Sequence, residues 1–189
     1  MEDNVVQYLS LFKDVCKKVN SSLHFDEVLK MITENTVKAL KIKACTIFLL
    51  DEAQERLKVS ASYGLSESYL NKGPVEAKKS IDECLSGKWV LVSDTTNDPR
   101  IQYPEKAKIE GIASILAVPI TVKNRIIGVL RLYTSKPREF SDLEKEFISG
   151  LAEIGGIGIE NARMYDHLKD NYDLLIRDIH QHFEFGRRP

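Results

Sequence analysis

The spacing of hydrophobic residues changes along the chain, and the changes predict the order of helices and strands. Apolar side chains recur at steps of three and four residues from Val5 to Val19 and again from Leu29 to Leu40, which indicates two amphipathic helices. Residues 44–50 are apolar on both faces and predict an interior strand, whereas residues 57–64 alternate and predict a strand with one covered face. Residues 89–94 predict a further strand.

The middle of the chain is expected to hold two short helices and one long loop. Helical turns are predicted at residues 66–71 and 80–87, the second ending at Gly87. Residues 94–111 contain two prolines and show no hydrophobic period, so we expect a loop. Because loops on rigid scaffolds often carry function, Tyr103 in this loop is a candidate lid residue.

A hydrophobic hairpin follows this loop. Residues 112–122 and 125–134 predict two strands, and Lys123-Asn124 between them suits a tight turn. Pro119 lies in the first strand and cannot donate a ladder hydrogen bond, so we expect it at a sheet edge or bulge, in a structural role.

The second strand of the hairpin carries one charge. By strand alternation Ile127, Val129, Arg131 and Tyr133 share one face, and Gly128 shares the other face with two leucines. A buried guanidinium needs a partner, so the Arg131 face is not expected beneath packed helices. Either this face borders a ligand that the planar guanidinium binds, or Arg131 pairs with a surface acid near the strand end.

A long helix is predicted from Ser141 onward. Ser141 and Glu144 have the spacing of a capping box, and a heptad-like seam follows. The seam comprises Leu151, Ile154, Gly158, Asn161, Tyr165, Leu168, Tyr172, Leu175, Ile179 and His182. A helix this long extends past any domain of this size, so its distal half requires a partner. Helices at both ends around consecutive strands indicate an α+β fold with a mostly antiparallel sheet.

Composition narrows the classes of function. The 189 residues include 27 basic and 28 acidic side chains, so no basic excess favours nucleic acid or an anionic membrane. No signal-peptide pattern and no apolar run of about 20 residues is present, so we expect a cytoplasmic protein without membrane insertion. Cys16, Cys45 and Cys84 are far apart and lack a CxxC pair, which favours free buried thiols over a disulfide framework, a zinc site or a redox role.

Several stretches together resemble the GAF domain, a small-molecule sensor module of signalling proteins. They are "SIDECLSGKWVLVSD" with the later "DPR", "SILAVP", "NRIIGVLRLYTSKPREF" and "IENARMY", in family order over roughly residues 23–168. The resemblance implies an antiparallel sheet of five or six strands, with terminal helices on one face and short helices and loops roofing a pocket on the other. Residues 1–22 then form an N-terminal dimerisation helix, and residues 169–189 extend the last helix.

The resemblance also implies a function and a set of site residues. The expected protein is a non-catalytic sensor that binds a small molecule of unknown identity. It is expected to form a homodimer through the helices from Val5 to Val19 and from Leu151 to Ile179, and to signal to an output domain such as a histidine kinase of a two-component system. The candidate pocket residues are Phe48, Tyr63, Trp89, Tyr103, Ser114, Leu116, Arg131 and Tyr133.

Alternative ligands and functions of the family fit the sequence less well, and no cofactor is assigned. Ser135 and Lys145 depart from the cyclic-nucleotide signature, whereas Lys136 and Phe140 match it. No cysteine is followed by histidine, as bilin attachment commonly requires, and the histidines lie outside the roofed region, so no metal is expected. A free-methionine-sulfoxide reductase, testable by turnover with a thioredoxin system, and a structural dimerisation module without ligand are the remaining alternatives.

Overall fold

A computed structural model describes residues 2–21, 25–51, 56–76 and 82–185. Its helices are α1 (Glu2–Ser21), α2 (Phe25–Leu40), α3 (Glu67–Leu70), α4 (Pro104–Glu110) and α5 (Asp142–Phe185), and residues 82–85 form one further helical turn. Its strands are β1 (Ala44–Asp51), β2 (Arg56–Tyr63), β3 (Val75–Glu76), β4 (Val90–Val92), β5 (Ser114–Val122) and β6 (Arg125–Thr134). The fold is therefore α+β, as the sequence predicts.

The six strands form one antiparallel sheet in the order β3-β2-β1-β6-β5-β4. The β5–β6 hairpin turns at Lys123 and Asn124, whose φ values of 48° and 64° suit a two-residue hairpin turn. β4 pairs only with residues 115–117 of β5, so Pro119 lies where that side of β5 has no strand neighbour. Its missing N–H therefore interrupts no ladder on that side, and the prediction of an edge position is confirmed.

One face of the sheet, called the helix face here, lies under the helices. The largest hydrophobic cluster combines residues of α1, α2 and α5 with strand residues such as Ile47, Leu130 and Leu132. α1 packs across α2 and α5, where the rings of Tyr8 and Phe147 stack with centroids 4.5 Å apart. Apolar burial of this extent is the main source of stability in such a domain.

The opposite face, called the roofed face, carries two smaller clusters. The first includes Phe48, Cys84 and Val129, and the second includes Tyr69, Ala107 and Tyr133. Their non-strand members include Tyr69 of α3, Ala107 of α4 and Cys84 of the turn at residues 82–85, and these segments form much of the described roof. The predicted division into a helix-covered face and a roofed face is confirmed.

The segment predicted as a loop at residues 94–111 contains α4, so that prediction was wrong over residues 104–110. Pro104 occupies the first turn of α4, where its lack of an N–H has no cost, and Gly111 ends the helix with φ of 73°. The helix buries only Ala107 fully, which is why a seven-residue element of this kind shows no hydrophobic period in the sequence.

α5 begins as predicted. The Ser141 N–H donates to Glu144 at 2.9 Å, and the Glu144 N–H donates to the Ser141 hydroxyl at 3.3 Å, which completes the capping box. Glu144 also pairs with Arg138, which donates to the Leu40 carbonyl at the end of α2 at 2.6 Å. The bonds of Arg138 tie the start of α5 to the end of α2.

Two neighbouring glycines of α5 should respond to alanine with opposite signs. A Cβ on Gly156 would lie 2.9 Å from Val122 Cγ2 and 3.2 Å from the Thr121 carbonyl oxygen, whereas a Cβ on Gly155 would meet only Ile32 Cδ1, at 3.4 Å. Gly156→Ala should therefore lower the free energy of unfolding by about 1–3 kcal/mol through overpacking. Gly155→Ala should raise it by about 0.5–1 kcal/mol through helix propensity. Urea unfolding measures both, and equal effects would contradict this packing of α5 on β5.

Candidate functional site

Arg131 lies at the centre of the roofed face. It occupies β6, opposite Thr46 of β1 on one side and Ala117 of β5 on the other, and it is only 6% exposed. Val129 and Tyr133, its neighbours on the same face, belong to the two roofed-face clusters. The predicted placement of Arg131 on the roofed face is thus confirmed, and the alternative of a surface position near the strand end is wrong.

Aromatic and hydroxyl groups surround the guanidinium. Its Cζ lies 5.2 Å from the centre of the Phe48 ring, within cation–π range. Thr46 Oγ1 and Ser62 Oγ are 2.9 Å apart and share a hydrogen bond. Burial raises the pKa of the Tyr133 phenol, against the lowering effects of the Arg131 charge and of hydrogen bonds with Thr46 and Arg131. The sheet therefore presents a cation and several hydroxyls toward the roof.

The α3 segment brings a second cation to this face. Tyr69 is 5% exposed, and its ring meets the Tyr133 ring edge-on at 6.3 Å. Lys72 Nζ lies 3.9 Å from the centre of the Tyr69 ring and donates to the Tyr69 carbonyl at 3.2 Å. Burial lowers the pKa of Lys72 to about 8, and the positive charge of Arg131 contributes to the lowering. We call Thr46, Ser62, Tyr69, Lys72, Arg131 and Tyr133 the polar cluster.

Hydrogen bonds join the separate segments of the roof. The Tyr103 hydroxyl donates to the Pro74 carbonyl at 2.9 Å, and the Glu76 N–H donates to Gln102 Oε1 at 3.0 Å. The Ser66 N–H donates to Glu110 Oε1 at 3.0 Å. These bonds tie the region before and within α4 to the α3–β3 segment, so a ligand beneath one segment would also act on the other.

The predicted site residues divide between the two faces. Phe48, Arg131 and Tyr133 lie together on the roofed face, and Tyr103 lies in the roof. Tyr63, Trp89, Ser114 and Leu116 do not join them, so the prediction that they line one pocket with Arg131 was wrong. Trp89 and Leu116 pack with the helix-face cluster, and Ser114 bonds Thr134 at 2.5 Å on that same face.

Strand irregularities account for the misplacement of Tyr63 and for that of Ile127, which alternation predicts on the Arg131 face. The β1–β2 register shifts between Ile47 and Phe48, so that Phe48 faces Val59 while Cys45 faces Tyr63. This bulge reverses the alternation along β2 and turns Tyr63, which is 39% exposed, toward the helix face. A second shift, near Ile120 in β5, places Ile127 in the helix-face cluster instead of beside Arg131.

Sequence reasoning missed Thr46, Ser62, Tyr69 and Lys72. Strand alternation from Phe48 would have placed Thr46 on the same face, so that signal was present. Tyr69 and Lys72 reach the roofed face only through the folding of the α3 segment over the sheet, where the Tyr69 ring meets Tyr133. Nothing in their local sequence distinguishes them from surface residues.

The cysteines are free and lie apart. Cys84 belongs to a roofed-face cluster and Cys45 to the helix-face cluster, so the sheet separates them, and Cys16 lies on α1. Burial raises the pKa of the Cys84 thiol to about 12, despite the opposing effect of Arg131, and burial also raises the pKa of Cys45. Protonated thiols are weak nucleophiles, so neither buried cysteine is suited to thiolate chemistry.

The outer surface of the helices has an apolar character. A groove of about 230 Å³ between α1 and α5 is lined by Tyr8, Leu9, Phe12, Leu143 and Phe147, among others. Further along α5 the heptad seam leaves the core: Leu151 is fully buried, whereas Leu168 is 69% exposed. The large hydrophobic residues of the seam that are exposed are Tyr165, Leu168, Tyr172 and Leu175. At 1.5 Å per residue α5 is about 66 Å long.

Among the residues that the structure describes, neither a metal-binding group of side chains nor a membrane-spanning helix is found. Within ranges 2–21, 25–51, 56–76 and 82–185, no three histidine, cysteine or carboxylate side chains come together as a metal ion would require. No helix in those same ranges combines the length and the hydropathy needed for a membrane crossing.

Comparison with known proteins gives the family. A GAF domain model matches residues 22–160. The methyl sulfide methyltransferase-associated sensor of Methanosarcina acetivorans is 28% identical over 164 residues, a match that covers 83% of this chain and 16% of that protein. This chain therefore spans only a small part of the length of that relative.

Solved structures agree with this match. The GAF domain of a phosphoenolpyruvate-protein phosphotransferase from Coxiella burnetii superposes with a TM-score of 0.75 at 20% identity, covering 87% of this chain and 99% of that chain. A free methionine-R-sulfoxide reductase from Neisseria meningitidis, solved with its substrate, superposes with a TM-score of 0.69 at 16% identity, covering 85% of this chain and 93% of that chain. With its six-stranded antiparallel sheet, its roofed face and a family match over most of its length, the chain belongs to the GAF domain family.

Proposed function

We propose that this GAF domain is a non-catalytic sensor that binds a small molecule between the roofed face and the roof. The burial of Arg131 among the hydroxyls and aromatic rings of the polar cluster carries the proposal. Apolar walls with a few convergent polar groups are typical of small-molecule sites. The relative from Methanosarcina acetivorans is named a sensor, which supports the same class of function.

The signal would leave through the helices. α5 packs on β5 at Gly156, Arg138 ties its Glu144 to the end of α2, and its apolar seam continues into solvent. We propose that the helices from Val5 to Val19 and from Leu151 to Ile179 pair with a second copy and pass the signal to an output domain or partner. A ligand shifts such an equilibrium only by its differential affinity, about 1.4 kcal/mol for each tenfold bias.

The positions of the cysteines give less support to the alternative function, a free-methionine-sulfoxide reductase. The reductase of this fold is a structural neighbour at 16% identity, which is evidence of fold alone. In this chain the two buried thiols lie on opposite faces of the sheet and are held protonated. A reaction that oxidises one thiol and resolves it with another needs two thiols within reach.

A thermal-shift screen of charged and neutral small molecules on the full chain tests the sensor proposal. Compounds that raise the melting temperature are then examined by hydrogen exchange. We expect protection at residues 66–76 and 102–111, and a change in exchange along α5. A screen without any stabilising compound, or protection that leaves both roof segments unchanged, would contradict the proposal and favour a structural dimerisation module.

A further inference from the structure

We propose that a hollow on the outside of the domain binds a small phosphate monoester. It lies where the end of α2, the end of β6 and the segment before α5 meet, and its volume is about 250 Å³. The polar residues that line this basic hollow are Lys41, Lys43, Thr134, Ser135, Lys136 and Arg138. Thr134 shares a hydrogen bond with Ser114 on the helix face, so the basic hollow is separate from the site beneath the roof.

The lining of the basic hollow contains four basic side chains and no acidic one. Two of the four have acidic partners that lie outside the lining. Arg138 pairs with Glu144 at the start of α5, and Lys43 Nζ lies 3.8 Å from Glu110 Oε1. The charges of these two cations are therefore compensated in part by the protein itself.

Lys41 and Lys136 supply the positive charge that the protein does not compensate. Both side chains are exposed, and neither forms an ion pair within the part of the chain that the structure describes. Glu139 follows Arg138 in the sequence but does not line the basic hollow. Two lysines without acidic partners at one concave site favour a ligand with two negative charges.

The C-terminus of α2 does not account for these two lysines. Basic side chains often bind the last carbonyls of a helix, which is the structural alternative to a ligand site. Here Arg138 donates to the Leu40 carbonyl at 2.6 Å, and the Ile42 N–H donates to the Val37 carbonyl at 3.2 Å. The end of α2 therefore already has donors from one arginine and from the backbone.

Hydrogen bonds fix both backbone segments that carry the lysines. The Thr134 hydroxyl donates to the Lys136 carbonyl at 2.7 Å, and the Lys43 N–H donates to the Tyr133 carbonyl at 3.0 Å. Lys41 lies between α2 and this second bond, with φ of 51°. A ligand would thus meet a preformed backbone, which lowers the cost of ordering the site.

The donors of the basic hollow match a phosphate group. A phosphate monoester carries a charge of about −1.5 to −2 at pH 7 and offers three strong acceptor oxygens. The ammonium groups of Lys41 and Lys136 are compact charges suited to such oxygens, and Ser135 adds an exposed hydroxyl. A monocarboxylate would bring only one charge to two lysines.

An adjoining hollow provides space for the organic part of the ester. Its volume is about 260 Å³, and it shares Ser135 and Pro137 with the basic hollow. Lys108 and Asp94 both line it, so it offers no excess of positive charge for a second phosphate. Hydrogen bonds from Thr96 lower the pKa of the Asp94 carboxyl, which keeps it negative at neutral pH. The part of the ligand beyond the phosphate should therefore be uncharged.

The test is calorimetric titration of the full chain, at low salt, with ethyl phosphate, glycerol phosphate and phenyl phosphate. Each ester is compared with its own alcohol and with inorganic phosphate. We expect at least one ester to bind more tightly than inorganic phosphate, and the alcohols not to bind. Lys41→Met and Lys136→Met should each weaken ester binding by about three- to tenfold, and the double variant should abolish it.

The control variant is Lys58→Met, which removes the same charge from an exposed position on β2, opposite Leu49. It should leave ester binding unchanged. All variants must keep the melting temperature of the unmodified chain, which is expected because the three lysines are exposed. An equal loss of affinity in Lys58→Met would show general attraction of anions and would overturn the assignment.

Hydrogen exchange locates the bound ester and separates this inference from the proposed function, on which it does not rest. We expect protection at residues 41–43 and 134–138. Protection at residues 66–76 and 102–111 alone would place the ester beneath the roof, which would overturn this site and support the sensor proposal. Absence of ester binding, or undiminished binding in the double variant, would overturn this site and leave the sensor proposal to its own screen.

Discussion

Replacement of Arg131 with methionine will abolish the response of this domain to its ligand. The substitution removes the planar donor from the centre of the roofed face while keeping a long, flexible side chain beside the Phe48 ring. If the guanidinium binds an anionic group directly, the loss should reach about a hundredfold in affinity, the upper range for a charge-assisted pair. Thermal-shift titration of the variant with compounds that stabilise the unmodified chain measures this loss.

The matched control is Arg125→Met on the same strand. Arg125 is exposed at the hairpin end of β6, far along the strand from Arg131, and its replacement should leave ligand affinity unchanged. Both variants must retain a cooperative thermal transition. A folded Arg131→Met variant with undiminished ligand affinity would show that this buried cation serves the fold and not the ligand.

The second large effect concerns the exposed seam of α5. If two copies pair through this seam as we propose, Leu168→Asp should separate them, because it replaces an apolar side chain that we place at the centre of the pairing surface in both copies. Leu168 is 69% exposed in the single chain, so the substitution should change the stability of the monomer little. Loss of two leucine contacts, each about 1.5–3 kcal/mol, weakens the dimer at least about a hundredfold.

Sedimentation equilibrium measures the dimer dissociation constant. His167→Asp is the control, since it adds the same side chain one position away, on an exposed surface outside the seam. The control should remain dimeric. If both variants behave alike, or if the unmodified chain is monomeric, the exposed seam does not pair two copies.

Much of the fold could be predicted from hydrophobic periodicity, because most helices and strands of this chain have regular hydrophobic patterns and end in residues that commonly cap helices or form turns. The alternation of β6 identified the face of Arg131, and the capping box located the start of α5. The sequence did not predict α4, because this short helix buries only Ala107 and so shows no hydrophobic period. The need for glycine at position 128 also follows from the folded sheet, because a Cβ added there would clash with the Phe48 carbonyl oxygen of the neighbouring strand.

The site was less accessible to sequence reasoning, for two physical reasons. Alternation fails at bulges, and a single extra residue in β2 moved Tyr63 to the other face of the sheet. Contacts between distant segments leave no local pattern, so the contact between the Tyr69 and Tyr133 rings emerges only in the folded chain. Residues 77–81, which follow β3, lie outside the described residues, as does part of the helix predicted at residues 80–87.

Native mass spectrometry of the purified full chain measures most directly whether two paired copies carry a small molecule beneath the roof. We predict a species of two chains with the added mass of a small molecule, and loss of that added mass in Arg131→Met without loss of the pairing. A single chain without added mass, or an added mass that Arg131→Met retains in full, would contradict the account.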